Sequence, residues 1–191
     1  MSGITRIKIN YDWSDWRTQL ADAHYEVANR IYRDIFNLED GNESINVTKS
    51  EALARYDWKE GIDVILTTES GSRMTVQEKF LTYYKSTITF EETKTSGEKG
   101  AWYYCTAQYY FVGYTRKYWN YKTRSLFDSP TINFQDYVLI DLASIHREDE
   151  KGNIKWTFNK NINDGRGSTF KYLLFDELPI NCIISRLDTY S

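Results

Sequence analysis

The stretch GIDVILTTESGSRMTVQEKF, residues 61–80, decides the reading of this chain. Gly61 to Thr68, GIDVILTT, is strand-like, and Arg73 to Phe80 is a second β-run. Between them lies Glu69-Ser70-Gly71-Ser72, a short polar turn containing glycine. Two β-runs joined by such a turn predict a hairpin. Within it, Asp63 interrupts an apolar run, where an unpaired carboxylate is costly unless it is hydrogen-bonded or ligates a cation. Gln77 and Lys79 lie two residues apart on the second strand and so share a face, because strand side chains alternate. Glu78 points the other way and reads as structural. A carboxylate, an amide oxygen and an ammonium meeting on a hairpin suit the handling of a phosphodiester: oxygen atoms for a hard divalent cation, and a cation for the phosphate or the attacking water.

Working outward, residues 13–36 carry Trp13, Trp16, Leu20, Ala23, Val27, Ile31 and Ile35 at spacings of three and four, the period of one helical face. Ser14 or Asp12 can cap that helix, and Gly41 comes after the stretch that ends it. Ile4 to Asn10 reads as a strand or arm, Glu51 to Tyr56 as a helical turn, and Thr87 to Glu91 as a strand. Glu92 to Gly100 is a charged loop. Trp102 to Tyr114 reads as a short helix followed by a strand. Tyr137–Ile145, Ile154–Phe158 and Thr169–Phe175 are strand-like, and the last residues suggest a short helix. The fold class expected is α/β, a central mixed sheet flanked by helices, with a core over about 13–114 and a β-rich part over about 115–191 in one domain.

Composition narrows the function classes. The chain has 191 residues, of which 24 are basic and 27 acidic, a net charge of −3 that argues against nonspecific coating of nucleic acid yet leaves room for a local basic groove. With 16 Tyr and 6 Trp, much of the core must come from rings whose hydroxyl or indole N–H needs a partner. Two cysteines, Cys105 and Cys182, are too few and too far apart for a disulfide framework or a thiolate zinc site. The N-terminus lacks the apolar run of a signal peptide and no stretch is long enough to cross a bilayer, so a soluble cytoplasmic protein is expected. Neither a Ser or Cys nucleophile motif nor a phosphate-cradling glycine loop is present. His24 reads as a core histidine, and His146 has no acid or nucleophile at a recognisable spacing.

The motif Gly61-Ile62-Asp63, thirteen intervening residues, then Gln77-Glu78-Lys79 resembles the PD-(D/E)XK nuclease superfamily, in which an Asp on one strand is followed on the next by (D/E)-X-K. The departure is Gln77 in place of the first acid, a variant that occurs in branches of that superfamily. The resemblance implies a restriction-endonuclease-like core and a Mg²⁺- or Mn²⁺-dependent nuclease. Asp63, Gln77 and the Glu78 backbone carbonyl would be metal ligands and Lys79 the residue that orients water or offsets charge. DNA is the expected partner, with RNA open. It further implies an acid on the preceding helix, for which Glu26 stands in a similar position, and a backbone-contacting glutamine after the lysine strand, for which Gln108 does. Both have a bland alternative: a solvated helix-face carboxylate and a polar residue in an aromatic helix.

Arg116 to Arg124 holds Arg116, Lys117, Lys122 and Arg124 with Tyr118, Trp119 and Tyr121 and no acid. Cations neutralise phosphates and rings stack on unpaired bases, so this segment is the candidate nucleic-acid groove; a solvated loop with anchoring aromatics is the alternative. Two further function classes stay open: a binding module that keeps the nuclease fold without turnover, and an aromatic-rich protein-interaction domain. Endonuclease or exonuclease action, the number of metals and the oligomeric state, a homodimer included, are not legible in the sequence.

Overall fold

The computed structural model describes residues 3–7, 16–38, 45–47, 60–81, 86–115, 119–120, 125–126, 133–160 and 167–187. Helix α1 (Trp16–Phe36) is followed by the hairpin β3 (Val64–Thr67) and β4 (Arg73–Leu81), whose register sets Val64 against Val76. Thr68 and Ser72 close the turn, with Gly71 at φ +81°, a backbone conformation that glycine adopts without strain. The chain leaves this sheet through β5 (Thr87–Thr93) and the single turn α2 (Ala101–Tyr104), then returns as β6 (Tyr109–Thr115), parallel to β4. Strands β1 (Gly3–Ile7), β2 (Ile45–Val47), β9 (Phe134–Asp141) and β12 (Ile183–Arg186) complete a mixed seven-stranded sheet in the order β12-β9-β6-β4-β3-β1-β2. The α/β class is as expected.

Alternation along β4 builds two layers from one strand. Val64, Leu66, Val76 and Phe111 are fully buried against Val27, Ala28 and Tyr32 of α1. The stripe that α1 buries includes Leu20, His24, Val27, Ala28 and Tyr32, turned slightly from the one read in the sequence, of which Leu20 and Val27 are buried and Ala23, Ile31 and Ile35 half-buried. The opposite face of the sheet carries Tyr110, Val112, Val138 and Ile140, which pack with Ile88, Phe90, Trp102, Leu173 and Phe175. That second layer contains a three-stranded sheet, β10 (Thr157–Lys160), β11 (Thr169–Leu174) and β5 in that order. A two-residue ladder pairs β7 (Trp119–Asn120) with β8 (Ser125–Leu126).

Several sequence expectations are corrected. Tyr137–Ile145 is not one strand: β9 ends at Asp141, whose carboxylate accepts from the Ser144 N–H and caps α3 (Leu142–Glu150). The strand expected at 154–158 lies at Thr157–Lys160. Toward the end a short 3₁₀ helix, Ile180–Cys182, feeds edge strand β12, and residues 188–191, where the short helix is expected to continue, lie outside the described residues. The helical turn at 51–56 and the caps Asp12 and Ser14 lie outside the described residues.

Lys171 fastens the second sheet to α3. Its ammonium is 4% exposed, lies 3.4 Å from the centre of the Trp102 ring and 4.6 Å from that of Trp156, and pairs with Asp149 at 3.4 Å and Glu92 at 3.6 Å. Burial lowers its pKa, and the two carboxylates oppose that shift. His146 stacks on the same Trp102 ring at 3.9 Å, so it belongs to this aromatic cluster. No helix among the described residues is long and apolar enough to cross a membrane.

Candidate active site

Asp63 sits one residue before β3, with its backbone N–H donating to the Val76 carbonyl at 2.9 Å. That bond extends the hairpin register and places Asp63 opposite Gln77. The Asp63 Oδ2 atom accepts from Gln77 Nε2 at 2.5 Å and from the Glu78 backbone N–H at 2.7 Å. Gln77 Nε2 also donates to the Glu78 carbonyl at 3.3 Å. Two acceptors therefore converge on one amide NH₂ group. Lys79, two residues along the strand, lines the same half-buried cleft as Gln77. The side chain of Glu78 takes the other face, where Tyr32 donates to its Oε1 at 2.7 Å, as its alternation with Gln77 requires.

Gly61 makes this geometry possible. It is buried at φ +59°, and a Cβ there would lie 2.9 Å from Gln77 Oε1 and 3.0 Å from Cys105 Sγ. A side chain there would push the Gln77 amide and Cys105 aside, and few L residues adopt that backbone. The Gln77 amide oxygen is thus turned toward Gly61 and Cys105 rather than toward Asp63. An amide has nearly the same shape either way round, so rotation about its last bond would exchange the donor for the acceptor. The Cys105 thiol donates to the Gly61 carbonyl at 3.4 Å, and burial pushes its pKa up to about 11, with the Asp63 charge adding to the shift. The thiol is therefore protonated and inert.

The donor set fits one hard cation. The place held by the Gln77 amide protons is already faced by the Asp63 carboxylate and the Glu78 carbonyl, and turning the amide would add a third oxygen. Among the described residues no three His, Cys, Asp or Glu side chains gather as a metal cluster. The charge available at the Asp63–Gln77 pair is that of a single carboxylate.

Other expected site residues are placed elsewhere. Glu26 is exposed on the solvent side of α1, away from the stripe of Leu20, His24 and Val27, and α1 covers the sheet face opposite to that of Gln77. Helical phase and layer both keep it from Asp63, which corrects its assignment as a ligand. Gln108 is not on a helix but in the turn before β6. Its Oε1 accepts from the Thr75 N–H at 3.0 Å, and its own N–H donates to Thr75 Oγ1 at 3.0 Å, so it ties β6 to β4. Arg116, Lys117, Lys122 and Arg124 lie outside the described residues, and Trp119 is described only as part of the β7–β8 ladder. His24 is a core residue as expected. Its Nδ1 bonds to the Leu20 carbonyl at 2.8 Å, and its Nε2, buried beside the rings of Phe80 and Phe134, has no hydrogen-bond partner among the described residues.

Sequence reasoning missed the far wall of the cleft. About 430 Å³ of space is bounded by Gln77 and Lys79 on one side and by Glu91, Phe90, Tyr104 and Phe170 among its other walls. Only the pairing of β5 with β11 in a separate sheet brings Glu91 and Phe170 there, and no local pattern announces that pairing. Comparison with protein-family models, with curated proteins and with solved structures finds no match to this chain.

Proposed function

We propose that this chain is a metal-dependent nuclease with a restriction-endonuclease-like core, acting on the phosphodiester bonds of DNA, with RNA as the open alternative. The observation that carries the reading is the convergence of the Asp63 carboxylate and the Glu78 carbonyl on the Gln77 amide beside Lys79. The element order supports it: the antiparallel hairpin that carries Gln77 and Lys79 comes after a long helix, as the resemblance implies. Free Cys105 and Cys182 are in keeping with a cytoplasmic setting.

Asp63, the Glu78 carbonyl and the Gln77 amide oxygen would hold Mg²⁺ or Mn²⁺. When bound, such an ion supplies an acidified water and polarises the phosphoryl oxygen. The protein's own residues do the rest. Asp63 would hold that ion in place relative to β4, and the Glu78 N–H holds Asp63 in place. The Lys79 ammonium offsets the negative charge that grows on the phosphate as water adds to phosphorus. The P–O bond to the leaving nucleoside then breaks, and that oxygen takes up a proton, giving one phosphomonoester and one hydroxyl end.

Incubation of the protein with single-stranded, duplex and branched DNA and with RNA, in Mg²⁺, Mn²⁺ or EDTA, tests the reading. Cleavage that needs the divalent ion and disappears in Asp63→Ala supports it; cleavage that survives Asp63→Ala removes the mechanism. The Gln77 amide N–H on Asp63 gives one specific reason to carry a second reading, a nucleic-acid-binding module without turnover. Retention of labelled nucleic acid with no cleavage in any metal would decide for it.

A further inference from the structure

From the cleft beside Gln77 and Lys79 we infer that the site takes an unpaired guanine nucleotide next to the phosphate it acts on, with Glu91 reading the base. This rests on the reading of the Asp63 site as one that handles phosphodiesters. The space, about 430 Å³, lies within the roughly 300–1,000 Å³ typical of small-molecule sites. Its walls include the rings of Tyr104 and Phe170 and the acid Glu91, the Glu78 carboxylate being turned to the other face toward Tyr32, and Lys79 stands on the opposite side. Rings of this kind stack on a base, whereas a cation attracts the phosphate attached to it.

Glu91 is half-buried, and among the described residues its carboxylate has no hydrogen bond or ion pair. It is on β5, which ends the three-stranded sheet, so the strand's outer edge faces away from β11. Among the described residues Glu91 belongs to no group of three or more metal-ligating side chains. A carboxylate lacking a partner calls for a donor, and one with two oxygens is best met by two donors side by side. Of the common bases only guanine presents that pair, N1–H next to the N2 amino group, on its Watson–Crick edge. Adenine and cytosine place a ring acceptor beside their single amino group, and uracil or thymine flanks its N–H with two carbonyls. In a duplex the guanine edge is already paired with cytosine, so the base must be single-stranded or turned out of the stack.

The test is binding of the four nucleoside 5′-monophosphates and of inosine monophosphate to the full chain in EDTA, measured by calorimetry. Guanosine monophosphate is expected to bind roughly ten- to a hundredfold more tightly than the adenosine, cytidine and uridine forms, with inosine monophosphate, which lacks the 2-amino group, in between. Glu91→Gln should remove the guanine lead, and Tyr104→Ala should weaken all ligands alike. Binding of none of them, or a guanine lead unchanged in Glu91→Gln, overturns the inference. Should Glu91→Gln fail to fold by circular dichroism, the comparison of guanosine with inosine monophosphate on the unaltered chain decides alone, equal affinity being fatal. Because no metal is present in the assay, the two readings fail separately: guanine preference without cleavage of any substrate keeps the base pocket and removes the nuclease, and cleavage without guanine preference does the reverse.

Discussion

Gln77→Glu converts the central pair of the site into two carboxylates, and the geometry around Asp63 sets the size and sign of the effect. In the present chain Asp63 Oδ2 accepts from Gln77 Nε2 at 2.5 Å and from the Glu78 N–H at 2.7 Å. The substitution removes the first donor and sets oxygen against oxygen. Two full charges about 3 Å apart at an effective dielectric of about 20 repel by roughly 5 kcal/mol. The pair therefore keeps a shared proton to higher pH than either group would alone, and titrates as a unit. Its folded pKa is raised above the unfolded values of about 4. The stability it contributes is thus present below about pH 4 and is lost as pH rises through the raised value. A rise of two units corresponds to about 2.7 kcal/mol, and because both positions are only half-buried, solvent screening reduces the expectation to about 1–3 kcal/mol.

Thermal unfolding of both proteins at about pH 5 and about pH 8, with Mg²⁺ or EDTA, measures this, each kcal/mol moving the midpoint by about 2–4 °C. In EDTA, Gln77→Glu should lose stability relative to the parent at the higher pH. Mg²⁺ should restore it and more, since a carboxylate pair binds a hard cation better than a carboxylate and an amide, and nuclease activity should be kept or raised. A variant equally stable at both pH values relative to its parent, and indifferent to Mg²⁺, would show that position 77 shares no cation site with Asp63.

Asp63→Ala and Lys79→Ala should each abolish cleavage, but only Asp63→Ala should also abolish the rise in unfolding temperature produced by Mg²⁺, which separates ion binding from chemistry. Replacing Arg116, Lys117, Lys122 and Arg124 with Ala should weaken nucleic-acid binding and lower its salt slope by about 0.7–0.9 for each phosphate no longer neutralised, as read from binding titrations across salt concentrations; an unchanged slope assigns the segment to the solvated loop. Burial lowers the His24 pKa, so as pH falls through about 6.5 the unfolded chain takes a proton that the folded chain refuses, and stability falls; above that pH the residue contributes nothing. Denaturant unfolding at about pH 7.5 and about pH 5.5 should show this loss, and His24→Met should shrink it. Glu148, held down to about 2 by hydrogen bonds from Asn153 and Lys151, acts in a lower window, losing its contribution only as pH drops from about 4.5 toward 2.

The hairpin is legible in the sequence because its two signals are local: a β-run on each side of a polar turn, and an acid in an apolar run that has few bland explanations. Helix α1 is legible for the same reason, and so is its phase, which sets Glu26 beside Ala23 and Arg30 and away from Val27 and Ile31. The wheel alone leaves Glu26 at the margin of the stripe; the sheet face that α1 covers is what keeps it from Asp63. Helix α3 escapes the sequence reading because VLIDLASI forms one apolar run, although Asp141, an N-cap residue type three before Ser144, marks the change of period within it. The second sheet is out of reach: β5 pairs with β11 across a gap of some eighty residues, and alternation tells which face of a strand is buried but not which strand lies beside it.

Core and site share one strand, and this ties the chemistry to the folding energy. On β4, Val76 is fully buried and Phe80 packs with Phe111 and Phe134 beneath α1, while Glu78 between them receives the Tyr32 hydroxyl. A side chain of this kind adds about 1.5–3 kcal/mol when fully buried, and a hydrogen bond to a charged group about as much. Slipping β4 by one residue against β3 would turn Val76 and Phe80 out of that layer and bring Gln77 and Lys79 into it, losing several such terms at once. The position of Gln77 opposite Asp63 is therefore enforced in large part by Val76 and Phe80, which do not line the cleft. Gly61 completes the constraint from the other strand, since its φ of +59° and the lack of room for a Cβ fix where the chain enters β3. The pairing of Asp63 with Gln77 results from the packing of Val76 and Val64 on the other face, so the site is rigid to the extent that the core is.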